Sequence, residues 1–196
     1  MLKGGVNVTQ DEKNTKARIL QAALDLLSQG VNADRITTRL IAEKAGVNSA
    51  LVNYHYQTKE NLLGQAVAGM MEGIISRVMR EASAGVSAQE GLRRILLSTA
   101  EAAFASYNAC RIAISIELKN GCVNSCAMVM PLLKSIFDDK DDDQLKIVAL
   151  QLMLPFHHIV IEPQLYGRYL GADFFDSNQR DAKINEMIDC ILSAAE

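Results

Sequence analysis

The chain has 196 residues, 49% of them apolar, with three prolines, no tryptophan and a formal charge of −3. That length can bury a sizeable core in one domain or two, and the charge excludes a wholly basic chain. It hides an asymmetry: residues 1–62 carry eight Lys/Arg and six Asp/Glu, residues 63–196 twelve and seventeen, so a mildly basic front precedes an acidic body.

Ala, Leu, Ile and Met dominate the apolar set, which favours helices because these side chains lose little freedom there. Residues 1–11 read as a loose tail, without the apolar run of a signal peptide. From Thr15, Ile19, Ala22, Ala23, Leu26 and Leu27 recur at helical spacing until Gly30 stops the pattern. A loop leads to Ile36, and Thr37 can cap a helix over about 38–45 with Leu40, Ile41 and Ala45 inward, ending at Gly46. Asn48 can cap a third helix to about His55, with Leu51 and Val52 facing the core. Two short helices joined at a glycine over 37–56 read as a helix-turn-helix, whose second helix enters a major groove. A plain small helical bundle has the same periodicity.

Beyond this, a long helix is expected over 59–82, then helices over 87–107, 111–119 and 124–137. The acidic run 138–143 reads as a solvated loop; it has no glycine and the wrong spacing for calcium. An apolar helix follows over 144–169, kinked or interrupted by Pro155 and Pro163, and a last helix over 178–194. No alternating strand pattern and no run of eighteen apolar residues occurs, so the expectation is an all-α, cytoplasmic chain with no membrane span. Cys110, Cys122, Cys126 and Cys190 lack the framework of a secreted scaffold and are expected to be reduced.

The stretch "TTRLIAEKAGVNSALVNYHYQTKENLL", preceded by "ILQAALDLLSQG", resembles the N-terminal helix-turn-helix of TetR-family transcription regulators. The resemblance covers about residues 15–63. It implies a DNA-binding domain over 12–62, a helical ligand-binding and dimerisation domain over 63–196, no catalytic activity and no cofactor. By carry-over, Tyr54 and His55 would touch phosphates at the groove edge, Lys59 would add a phosphate contact, and Tyr56 would be a core ring with a wet hydroxyl. Arg39 matches a position that reaches a base or phosphate; a guanidinium can bind guanine bidentately, for about 1–3 kcal/mol of discrimination. Thr38 offers a hydroxyl and the positive end of its helix to a phosphate. Asn48, Ser49, Ala50 and Asn53 would face the bases. Asn53 departs from the family's usual Tyr and can pair with adenine; Ala50 can meet a thymine methyl. Plainer readings stand beside these: Lys59 at a solvated helix start, His55 as a packing histidine, Arg39 paired with Asp34 or Glu43.

The resemblance also implies a homodimer on a pseudo-palindromic duplex and a small-molecule effector. Ile147, Leu150 and Leu154, with Ile184, Ile188 and Ile191, form apolar stripes suited to a dimer face or to the core. Met70, Phe104, Tyr107, Met128, Met153, Phe156 and His157 are candidate pocket lining, though a Met stripe at helical spacing is more often core. Cys122 with Cys126, and His158 with Glu162, have a helical spacing that could suggest metal, but no third ligand is evident, so none is expected. The reading is a repressor released by a small apolar ligand. An activator, a ligand-independent regulator, a helical scaffold or an enzyme are its rivals.

Overall fold

The computed structural model describes residues 7–82 and 85–193, and among them are ten α-helices and no strand. Residues 1–6 of the expected tail, and residue 194 of the last expected helix, lie outside this set. The chain divides into two compact units between Met70 and Met71, further along than the expected break at 62.

In the first unit, α1 spans Asn7–Ser28, α2 Thr38–Ala45 and α3 Ser49–Tyr56, and α4 starts at Lys59 and runs on to Ala82. Helix α1 begins well before Thr15. Its first turns carry polar helix formers such as Glu12 and Lys13, which can sustain a solvated helix without apolar periodicity. The expected apolar stripe of α1 is buried: Ile19, Ala22, Ala23, Leu26 and Leu27. Gly30, at φ +81°, ends it. The N–H of Gly30 donates to Leu27 O and that of Val31 to Leu26 O, which satisfies two orphan carbonyls of the last turn. A 3-10 turn over Ala33–Arg35 then delivers fully buried Ile36 to the core.

In the second unit, α5 is Ala88–Ala105, α6 Tyr107–Lys119, α7 Val123–Ile136, α8 Asp142–Ile161, α9 Pro163–Leu170 and α10 Ser177–Ser193. Helix α8 packs on α6, α7, α9 and α10, and α5 on α6, α7 and α10. The expected helix over 87–107 ends at Ser106, so Tyr107 opens α6. The last two residues of the acidic run, Asp142 and Asp143, are helical rather than loop. Asp141 accepts from the N–H groups of Asp143 and Gln144, and the Gln144 side chain accepts from the Asp141 N–H, a reciprocal cap. Pro155 lies inside α8, while Pro163 opens α9 after the break at Glu162, where its missing N–H costs nothing. Helix α8 has the length and apolar character of a membrane span. Its Leu145, Ala149, Leu152, Phe156 and Val160 are buried in the fold, as in the core helix of a globular domain.

Candidate nucleic-acid interface

The two helices over 38–56 are fixed at every end. Thr37 Oγ1 accepts from the Leu40 N–H at 3.1 Å, capping α2. Gly46, at φ +63°, closes α2: its N–H donates to Glu43 O, and the Val47 N–H to Ala42 O at 2.9 Å. Asn48 Oδ1 accepts from the Ala50 N–H at 2.7 Å and starts α3 three residues after α2 ends. Helix α2 buries Ile41, Ala42 and Ala45; α3 buries Val52 and Tyr56, one turn apart. Tyr56 is core, as expected, but its hydroxyl is not wet: it donates to Lys16 O on α1 at 2.9 Å, and burial pushes its pKa up to about 12.

One residue outside the sequence reading locks the turn. Arg18 of α1 donates from Nη2 to Ala45 O at 2.6 Å and to Gly46 O at 3.2 Å. The guanidinium thus sits on the carbonyl end of α2, where the helix dipole favours a cation. In the sequence Arg18 is one more charge in the polar run DEKNTKAR before Ile19, which does not reveal its partner. Arg18→Ala should lower the unfolding free energy by about 1 kcal/mol, since one bond is part-buried and the other exposed. A urea titration checks this; an unchanged midpoint would show that the clamp adds nothing.

With Val52 and Tyr56 inward, α3 turns Ala50, Leu51, Asn53 and Tyr54 outward, while Ser49 and His55 are half-buried. Leu51 was expected in the core and is 41% exposed, because the spacing of Val52 and Tyr56 leaves it about 100° away around the helix. Tyr54 is 71% exposed and meets the His55 ring edge-on at 5.1 Å; the His55 and Tyr56 centroids are 6.4 Å apart. The three consecutive rings therefore form a relay from surface to core. On α2, Thr38 is half-buried and Arg39 exposed, with no ion pair to Asp34 or Glu43. Asn48 is exposed, but its side-chain oxygen is taken by the cap. Lys59 is half-buried: Nζ donates to Ala33 O at 3.3 Å and stands 3.8 Å from Glu60, so it braces the 3-10 turn.

Gln57 follows α3 at φ 64°, ψ −55°, and the Thr58 N–H donates to Tyr56 O at 2.7 Å. This is the tight three-residue turn with a positive central φ, which a side chain adopts only under strain. Thr58 then caps α4 by accepting from the Asn61 N–H, and Asn61 Nδ2 donates back to Tyr56 O.

The candidate lining residues lie in several surroundings. Met128 packs beside Val78 and Ile95 with Ile74 and Leu132; Met153 and Phe156 are buried core, and Met70 belongs to the first unit. Phe104 and Tyr107 stack at 6.0 Å, with Phe175 edge-on to both. His157 is buried, its Nδ1 3.5 Å from Cys122 Sγ, and burial drives its pKa down to about 4. Cys122, at φ 58°, is itself buried, and burial raises its thiol pKa. Among the described residues no group of three or more His, Cys, Asp or Glu is placed to hold a metal ion. A groove of about 530 Å³ lies elsewhere, along α9 and the turn after it, between Pro163 and Gln179. Of the six expected dimer residues, Ile147, Leu150 and Leu154 are exposed along α8. Ile184 and Ile188 are 3% and 0% exposed and Ile191 is half-buried: the first two fill the core of their own unit and have no surface left to offer a second copy.

A capped, two-helix unit that exposes a short second helix, with an unpaired arginine beside it, is a helix-turn-helix. Residues 19–66 match the family of bacterial regulatory proteins, tetR family. The nucleoid occlusion factor SlmA of Aliivibrio fischeri is 33% identical over 72 residues, a match that spans only 37% of this chain and 37% of the relative. Among solved structures, the chain is similar to Bacillus subtilis FadR in complex with stearoyl-CoA (TM-score 0.66, 12% identity, 92% of this chain and 99% of that one). It is also similar to Thermus thermophilus FadR in complex with lauroyl-CoA (TM-score 0.62, 19% identity, 86% and 92%). At those identities the likeness concerns the fold.

Proposed function

We propose that this protein is a homodimeric transcriptional repressor that binds a pseudo-palindromic duplex through α3 and leaves it when a small, largely apolar effector binds the second unit. The observation that carries the reading is the outward face of α3. Ala50, Asn53 and Tyr54 are exposed on a helix fixed at both ends, so the side chains are presented with little freedom to lose. Ala50 suits a thymine methyl, Asn53 the N6 and N7 of adenine, and Arg39 a guanine or a phosphate. Tyr54 and His55 suit the groove edge, with Thr38, Asn48, Ser49 and Lys59 around them. Lys59 reaches a phosphate only by giving up its bond to Ala33.

One eight-residue helix gives little affinity. Two copies about 34–36 Å apart meet successive major grooves and require a two-fold site. The exposed Ile147, Leu150 and Leu154 of α8 support a second copy as the partner. An effector acts only by favouring one of two states, and a few kcal/mol of differential affinity is enough to empty a site. The solved neighbours bound to stearoyl-CoA and lauroyl-CoA support a ligand-responsive second unit.

Footprinting on the duplex upstream of the protein's own gene tests the reading; a symmetric protected site is expected. Asn53→Ala should alter the preferred base at one position per half-site, by about 1–3 kcal/mol, and leave the salt slope of binding unchanged. Uniform weakening on all sequences would refute base reading by Asn53. Protection that an effector never relieves would select the ligand-independent rival.

A further inference from the structure

The second unit holds an arginine whose charge has no counterpart. Two guanidinium groups sit over its stacked rings: Arg180 Cζ lies 5.3 Å from the Phe104 centroid, Arg111 Cζ 5.6 Å from that of Tyr107. Arg180 is buried and donates from Nε to Asp181 at 3.2 Å. Arg111 has no such partner. Its Nε is buried and makes no hydrogen bond, and no carboxylate forms an ion pair with it. Among the described residues, Thr99 Oγ1, on the helix that carries Phe104, is the other buried side-chain atom left without a partner, and Thr99 is only 9% exposed. Arg111 is half-buried, so part of its guanidinium is out of water with no anion beside it, an arrangement that costs free energy unless a partner is supplied. Glu162 is the one acidic group acting on the Tyr107 hydroxyl, and it stays beyond ion-pair distance of Arg111.

The surroundings fit an amphiphile. Phe175 is edge-on to Tyr107 at 5.1 Å and to Phe104 at 5.3 Å, and the same ring forms a wall of the 530 Å³ groove along Pro163, Gly167, Arg168 and Gln179. Phe175 is 51% exposed and is shared by the groove and the ring cluster.

We propose that Arg111 anchors the anionic group of a small amphiphile whose apolar body lies against Phe104, Tyr107 and Phe175 and enters by the α9 groove. This rests on the effector reading above and gives the effector its chemical class: an organic anion, not a neutral apolar molecule. A charge-assisted bond to a guanidinium is stronger than a neutral one and supplies the selectivity.

Calorimetric titration of the full-length protein with octanoate, octanoyl-CoA and 1-octanol tests it. All three share the tail, and the two acids separate a free carboxylate from a phosphate-bearing thioester. At least one anion should bind about tenfold or more tightly than the alcohol. Arg111→Gln should erase that gap and leave octanol binding unchanged, and Arg111→Lys should recover part of it. Without ligand, Arg111→Gln should melt no lower than the parent, because an unpaired charge is removed. If Arg111→Gln fails to fold, Phe175→Ala serves instead: it should weaken all three probes alike. The proposal is overturned if octanol matches both anions, if the gap survives Arg111→Gln, or if neither anion binds by about millimolar concentration. Release of the footprinted duplex is read in the same samples. An anion that binds through Arg111 without releasing DNA sinks the effector reading and keeps the site. Release by octanol alone does the reverse.

Discussion

Tyr56→Ala should unfold the first unit, with operator binding lost at 25 °C and the urea midpoint shifted far down. The ring is 1% exposed and fills the space between α1 and α3; its hydroxyl is bonded to Lys16 O and Lys16 Nζ stands 5.6 Å from the ring centroid. Truncating a buried aromatic costs about 3–5 kcal/mol, a large share of the total for a small domain. Tyr56→Phe isolates the hydroxyl and should cost about 1 kcal/mol. The raised pKa adds a test with a definite sign. The folded state keeps the neutral phenol up to about pH 12, whereas the unfolded chain ionises near 10. The stability contributed by the neutral ring is complete below pH 10 and is lost as pH climbs through about 12. Tyr56→Phe should lack that alkaline loss. If Tyr56→Ala retained the parent midpoint and DNA affinity, the packing described for this unit would be wrong.

Below neutral pH, stability should fall through one proton on His157. Its imidazole is buried against Cys122, and burial, opposed by Glu117 and aided by His158, brings its pKa from 6.5 down to about 4. The folded state holds the ring neutral while the unfolded chain protonates it below about 6.5. The contribution is full above pH 6.5 and disappears as pH falls through about 4, a change of about 3 kcal/mol at the end of that window. Urea titrations at pH 7, 6, 5 and 4 should show this decline in the parent and a flatter one in His157→Gln. Parallel declines in both proteins would place the acid-sensitive group elsewhere.

The helix-turn-helix was legible because its punctuation is local. Thr37, Gly46 and Asn48 are each dictated by the backbone at their own position, and the structure uses all three. What failed was less local. Leu51 was read inward from composition, although the pairing of Val52 with Tyr56 decides the face. The end of α5 at Ser106 carries neither Gly nor Pro, so nothing in the sequence marked it. Ile184 and Ile188 show the same stripe whether a partner chain or their own unit covers it, and only tertiary packing separates the two. Arg18 and Arg111 were invisible as participants because the groups that define them, two carbonyls and a missing carboxylate, lie far away in sequence or are absent from it.

In the proposed two-copy complex, the turn at Gln57 sets the ceiling on what α3 can say to DNA. Eight residues at a rise of about 1.5 Å reach along about 12 Å, or three to four base-pair steps of about 3.4 Å. At about two bits per fully specified pair, one helix carries roughly 8 bits and two carry roughly 16, whereas singling out one address among about a million competitors takes roughly 20. The shortfall falls to the bendability and groove width of the sequence between the contacts, so the spacer is part of the message.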